Sequence, residues 1–215
     1  MDDDEEAFDP SQMRRLPDSL EEVRSAAAQV DPDATLKTGD NATKTAFYDV
    51  KPESFKIIHF AVHAVTDVKR PDRAALILQS DPPRSDGRLE ARDILRIRLR
   101  SELVVLSACD TAVGRLQGEE GIANLTRAWL AAGADSVVST LWPVDDSFTL
   151  YLMKRFYERL AAGDDKASAL HSAKLGLLKE FGEDTPPVFW AGFTLTGAGT
   201  SKVGIKNKVE LAENK

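Results

Sequence analysis

The chain has 215 residues, 42% of them hydrophobic and 29% charged, the balance of an ordinary soluble globular domain. Acidic residues outnumber basic ones, 35 against 28, which argues against a nucleic-acid binder and its basic footprint. The single cysteine, Cys109, excludes an internal disulfide and a multi-thiolate zinc site and points to a reducing, cytoplasmic compartment; no apolar run reaches the roughly 18 residues of a membrane span, so no membrane association is expected.

Residues 1–15 open on a block of Asp and Glu and read as a disordered acidic tail. A helix is expected over 19–30, with Ser19 and Glu22 at capping-box spacing. Residues 34–38 are a short strand candidate, and Thr43 to Tyr48 give a brief helix. The run FKIIHFAVHAV, 55–65, is almost wholly apolar, as in a strand buried on both faces. Residues 74–80 and 87–90 flank a polar turn and suit a hairpin. Residues 91–99 look helical, with Ile94, Leu95 and Leu99 on one side.

LVVLSAC, 103–109, is a second buried strand. In 121–133, Ile122, Leu125, Trp129 and Leu130 follow helical spacing, and Gly133 fits the position just past the helix end. DSVVSTLW, 135–142, is a third buried strand. Phe148, Leu152, Phe156 and Leu160 repeat at steps of four in a long helix over 146–162. Asp165 is placed to cap a helix over 166–181 that closes at Gly182. Residues 188–197 form a last strand, and 200–215 read as a flexible tail.

Strands alternating with helices predict an α/β domain over 16–199, a mostly parallel central sheet with helices on both faces. Ligands in such sheets meet the carboxyl ends of the strands. His63 and Cys109 end two of the buried runs, so parallel neighbours would bring both to one rim. An imidazole beside a thiol can take its proton, and the thiolate attacks carbonyls. The competing readings are a small buried hydrophobe for Cys109 and a satisfied core histidine for His63. A metal site from His59, His63 and Cys109 is a weaker alternative, because Phe60 stands where a metalloprotease helix needs Glu. Glycines in GEEG make no phosphate loop, since no Lys-Ser/Thr follows. Trp129, Trp142 and Trp190 occupy apolar positions and read as core.

Five ordered segments carry a more specific signal: HFAVHA (59–64), SACDTA (107–112), GEEGIANL (118–125), AGADSVVSTLWPVDD (132–146) and VFWAGFTLTG (188–197). Together they resemble the CHAT family, caspase-like cysteine peptidase domains often found behind tetratricopeptide repeats. The resemblance covers roughly residues 16–199. It implies the three-layer caspase/hemoglobinase-like sandwich; the strand with which the family usually begins has no counterpart in residues 1–15. It implies a cysteine endopeptidase acting on a protein or peptide, with Cys109 as nucleophile and His63 as general base and later acid. Backbone N–H groups of Cys109 and Ala64 would form the oxyanion hole; Ala64 stands where the family usually has Gly, and Ala tolerates a positive φ poorly. His59 matches the family's first histidine and reads as structural, holding the active strand by a hydrogen bond. By likeness to the separases, Asp146, with Asp145 beside it, would line a pocket for a basic P1 residue; the competing reading is a helix cap. Asp110 and Glu120 would shape the rim. No metal or cofactor is implied. A tetratricopeptide-repeat or other sensor partner is the expected regulator. Two alternatives stay open: a catalytically silent CHAT domain used as an interaction module, and an unrelated flavodoxin-like binding domain.

Overall fold

A computed structural model of the chain describes residue 13 and residues 16–65, 71–107 and 118–205. In chain order the elements are α1 (Ser19–Val30), α2 (Lys44–Asp49), β1 (Ile57–Phe60), β2 (His63–Val65), β3 (Ala75–Ile77), β4 (Arg88–Glu90), α3 (Ala91–Ile94), β5 (Leu103–Leu106), α4 (Gly118–Ala132), β6 (Ser136–Thr140), α5 (Asp146–Ala161), α6 (Lys166–Phe181) and β7 (Phe193–Gly197). One sheet runs β1-β5-β6-β7. Its first three strands are parallel and β7 is antiparallel to β6. A second sheet, β2-β3-β4, is antiparallel.

The apolar runs dictate the centre. Leu103, Val104, Val105 and Leu106 are at most 1% exposed, as a strand covered on both faces must be. Their side chains alternate between two cores. Val104 and Leu106 join α4, α3 and the small sheet on one face, around Phe47, Phe60 and Trp129. Leu103 and Val105 join α1, α5 and α6 on the other, around Phe156 and Leu152. The domain is therefore a three-layer α/β sandwich with a mostly parallel sheet between helices, the caspase-like arrangement. Trp129 is fully buried, whereas Trp142 and Trp190 are half-buried at the edge of the second core. Gly133 ends α4 with φ +111°, and a Cβ there would lie 2.4 Å from the Leu99 carbonyl oxygen, so the turn requires glycine.

Several local expectations are corrected. The run 55–65 is two strands in two sheets: β1 ends at Phe60, whose carbonyl accepts the last ladder bond, from Ser107 N–H at 2.9 Å. Beyond it the chain turns so that Ala64 packs with Leu76 and Leu89 in the first core. Residues 34–38 form no strand, because no ladder partner lies beside them, and Leu36 is exposed. Residues 91–99 are helical only to Ile94; the chain then unwinds so that Leu99 N–H reaches the Ala132 carbonyl at 2.6 Å, and Leu95 faces solvent. Residues 188–197 are a strand only from Phe193, after a short 3-10 turn at Pro187–Phe189.

The capping box at Ser19 and Glu22 does not form. Ser19 Oγ donates to the Leu16 carbonyl, and Glu22 is 5% exposed and committed elsewhere. By contrast, Thr43 Oγ1 accepts from Ala46 N–H at 3.0 Å and caps α2. Asp165 Oδ1 accepts from Ser168 N–H at 2.9 Å and caps α6.

Candidate active site

The site begins with the register of β1 and β5. Ile57 pairs with Leu103 and so on to Phe60 with Leu106, so both strands end at one level of the sheet. His63 and Cys109 each stand three residues beyond that last pair. His63 opens β2, where it pairs with Ile77 of β3. The ring is half-buried, and its Nδ1 is out of reach of solvent. Cys109 and Asp110 lie outside the described residues.

Ala64 lies within β2, is 0% exposed and pairs with Leu76. Among the described residues Lys51 is the non-glycine with a positive φ, so the backbone at 64 has a conformation alanine adopts without strain. A glycine is therefore not demanded there by φ.

His59 stands on the opposite face of β1 from Phe60 and is tied at both ring nitrogens. Nε2 lies 3.0 Å from Glu22 Oε1 on α1, and Nδ1 lies 2.9 Å from the Tyr157 hydroxyl on α5. The imidazole and phenol rings stack, 14° from parallel. A carboxylate only accepts, so Nε2–H donates to Glu22, while Nδ1 meets the Tyr157 hydroxyl. Burial first, then the Glu22 charge, hold the Tyr157 phenol well above its ordinary value of 10, so the O–H donor persists. The side chains of His59 and Glu22 are 9% and 5% exposed. Glu22 and Tyr157 escaped the sequence reading. The available signal was the position of Glu22 on the Ala26–Val30 stripe of α1, four and eight residues along.

The structure places Asp145 at the N-cap of α5, where Oδ1 accepts from Ser147 N–H at 3.0 Å. Asp146 follows as the first helical residue and is half-buried. Both acids stand at the positive end of a 16-residue helix, a favourable position for a carboxylate. Glu120 falls in the first turn of α4, and its side chain lies outside the described set. His59 and His63 are thus separated into different sheets. Among the described residues no cluster of three or more His, Cys, Asp and Glu side chains is arranged to hold a metal, and no helix is long and apolar enough to cross a membrane.

Comparison with known proteins agrees with this architecture. Tetratricopeptide repeat protein 28 of Mus musculus is 40% identical to the chain over 117 residues, 54% of this chain. The Homo sapiens protein of the same name is 35% identical over 117 residues. The chain spans about 5% of the length of either relative. The family model for the CHAT domain, part of the caspase-like cysteine peptidase superfamily, matches residues 1–198, and the chain belongs to that family.

Proposed function

We propose that the domain is a caspase-like cysteine endopeptidase working through a His63–Cys109 dyad. The observation that carries this reading is the β1–β5 register, which sets the two residues at equal chain distance past one paired position. His63 takes the thiol proton, and the sulfur forms a bond to the scissile carbonyl carbon. The oxyanion is met by the N–H groups of Cys109 and Ala64. The C–N bond then breaks, and His63 passes its proton to the leaving amine. Water, deprotonated by the same ring, hydrolyses the thioester and restores the thiol.

In this reading Asp146, with Asp145 beside it, receives a substrate Arg or Lys, and Asp110 and Glu120 border the cleft. His59 anchors the active strand. Residues 16–199 form the folding unit in a cytoplasmic setting; the chain after 199, expected as a flexible tail, instead packs Val203 into the second core, and Gly204 N–H donates to Glu102 Oε2 at 2.6 Å. The relatives' name supports a tetratricopeptide-repeat region as the regulator. The same name speaks of repeats rather than of catalysis, which favours a second reading, a silent interaction module.

Alkylation separates the two. Cys109 is the only thiol, so iodoacetamide reports on it alone. The peptidase reading expects labelling at neutral pH to slow by at least about tenfold in His63→Ala. Equal rates with and without the imidazole overturn the dyad and leave the interaction module.

A further inference from the structure

The β3–β4 connection turns back on α2 and encloses an open cleft of about 520 Å³, within the usual range of ligand sites. Gln79 N–H donates to the Ala42 carbonyl at 2.9 Å, which fastens the connection to the start of α2. One wall is Lys44 and Tyr48 of α2; the other is Pro82, Pro83, Arg84 and Asp86. Tyr48 is 40% exposed, and both prolines face solvent, so an aromatic ring on one wall and two pyrrolidine rings on the other give the cleft apolar surface.

The rim charges are unequally committed. Lys44 Nζ is held by Asp93 Oδ2 at 2.7 Å. Asp86 Oδ1 accepts from Arg88 N–H at 3.0 Å. Arg84 is exposed and enters no ion pair among the described residues. Burial first, then the Asp93 charge, raise the Tyr48 phenol above its ordinary value, so its hydroxyl remains a donor at neutral pH.

Position decides what such a cleft would hold. Ile77 pairs with His63, and the cleft lining on this connection begins five residues further on, at Pro82, within about 16 Å at strand rise. In the dyad reading, the leaving amine takes its proton from His63 and therefore departs on the imidazole side. Asp145 and Asp146, the proposed receiver of the acyl-side residue, belong to α5 instead.

Resting on that reading, we propose that this cleft binds the substrate residues on the leaving-amine side of the scissile bond, taking an apolar side chain or proline on Tyr48, Pro82 and Pro83 and an acidic residue at Arg84.

Two substrate types test it on the full chain: a peptide ending in arginine coupled to aminomethylcoumarin, with only dye past the bond, and quenched peptides continuing past arginine with Ser-Leu-Pro-Glu or with Ser-Gly-Ser-Lys. Expected is a kcat/KM preference for the Leu-Pro-Glu peptide, and a fall of about tenfold in its kcat/KM relative to the dye peptide in the double variant Tyr48→Ala, Arg84→Ala. In parallel, fluorescence anisotropy measures binding of both extended peptides to Cys109→Ala, which cannot cleave. That protein should bind the Leu-Pro-Glu peptide more tightly, and Tyr48→Ala with Arg84→Ala should erase the difference. Equal binding of the two peptides, or a difference that survives the double variant, overturns the cleft. If wild type cuts nothing and cysteine labelling ignores His63, the peptidase reading falls, and the anisotropy result alone decides the cleft.

Discussion

His59 and His63 stand four residues apart in one apolar run, yet they occupy different sheets. His59 belongs to the parallel sheet and faces the second core, where α1 supplies a carboxylate and α5 a phenol. His63 belongs to the small antiparallel sheet and stands past the last β1–β5 pair. The difference teaches that neither the residue type nor its neighbours in sequence assign the role. The sheet that each short strand joins does so. A ring fixed at both nitrogens resists proton transfer to a substrate; in the reading proposed above, His63 performs it.

The largest test of that contrast exchanges the two losses. His63→Ala should lower peptide hydrolysis by roughly 10²- to 10⁴-fold and leave the urea midpoint near that of wild type. His59→Ala should instead destabilise by about 3–5 kcal/mol, because it strands Glu22 as a buried unpaired charge. Urea titration followed by intrinsic tryptophan fluorescence reads stability, and a P1-Arg fluorogenic peptide reads activity. A collapse in stability for His63→Ala, or none for His59→Ala, breaks the comparison.

A smaller change sharpens it. Tyr157→Phe keeps the packing and removes one hydroxyl, leaving Nδ1 of His59 buried without its 2.9 Å partner. A loss of about 1–3 kcal/mol is expected. Combining it with Glu22→Gln in a double-mutant cycle should show coupling, since both partners act on one ring. Strict additivity would mean that the two bonds are independent of ring orientation.

The sequence made the centre of this molecule legible because LVVL and SVVST have only one stable environment, covered on both faces. The cap at Asp165 was legible because short-range spacing determines it. The break between β1 and β2 was not, since periodicity is continuous through Ala61 and Val62 and only the Ser107–Phe60 bond ends the ladder. Residues 34–38 had strand-like composition but no neighbour to pair with. At the site, His63 was expected to end one continuous strand but opens β2 in the second sheet, and the partner of His59 on α5 lies 98 residues away. No local pattern encodes a contact at that separation.

On the His63 side, the fastening of α2 is open to a milder test. Thr43→Ala deletes the hydroxyl that accepts Ala46 N–H and should cost about 1 kcal/mol. Thr43 also bridges to Gln79, so hydrogen exchange should quicken in residues 44–49 and 79–86 but stay unchanged in α1 and α5. Equal quickening at the His59 clamp would show that the two regions are not separable.

The smallest expected effect concerns a further polar side chain on the second-core side. Lys166 is 0% exposed, and Nζ donates to the Glu102 carbonyl at 2.9 Å, at the entry to β5 rather than at its rim end. Burial lowers its pKa below the ordinary 10.5, with Asp135 and Glu102 opposing the shift. The charged form is therefore disfavoured by folding. That penalty is complete below the folded value and is lifted as pH climbs from the folded value towards 10.5, where the unfolded chain still binds the proton and the native chain has released it. Lys166→Met removes the titration while keeping the volume, and its stability at pH 7 should differ from wild type by less than about 1.5 kcal/mol. Wild type should then gain on the variant as pH rises towards 10, a trend that thermal melts at several pH values would resolve. Parallel curves would show that Lys166 stays protonated throughout. In that case its buried ammonium, like His59, would be fully satisfied by its partners, and the second-core side would hold polar groups without cost.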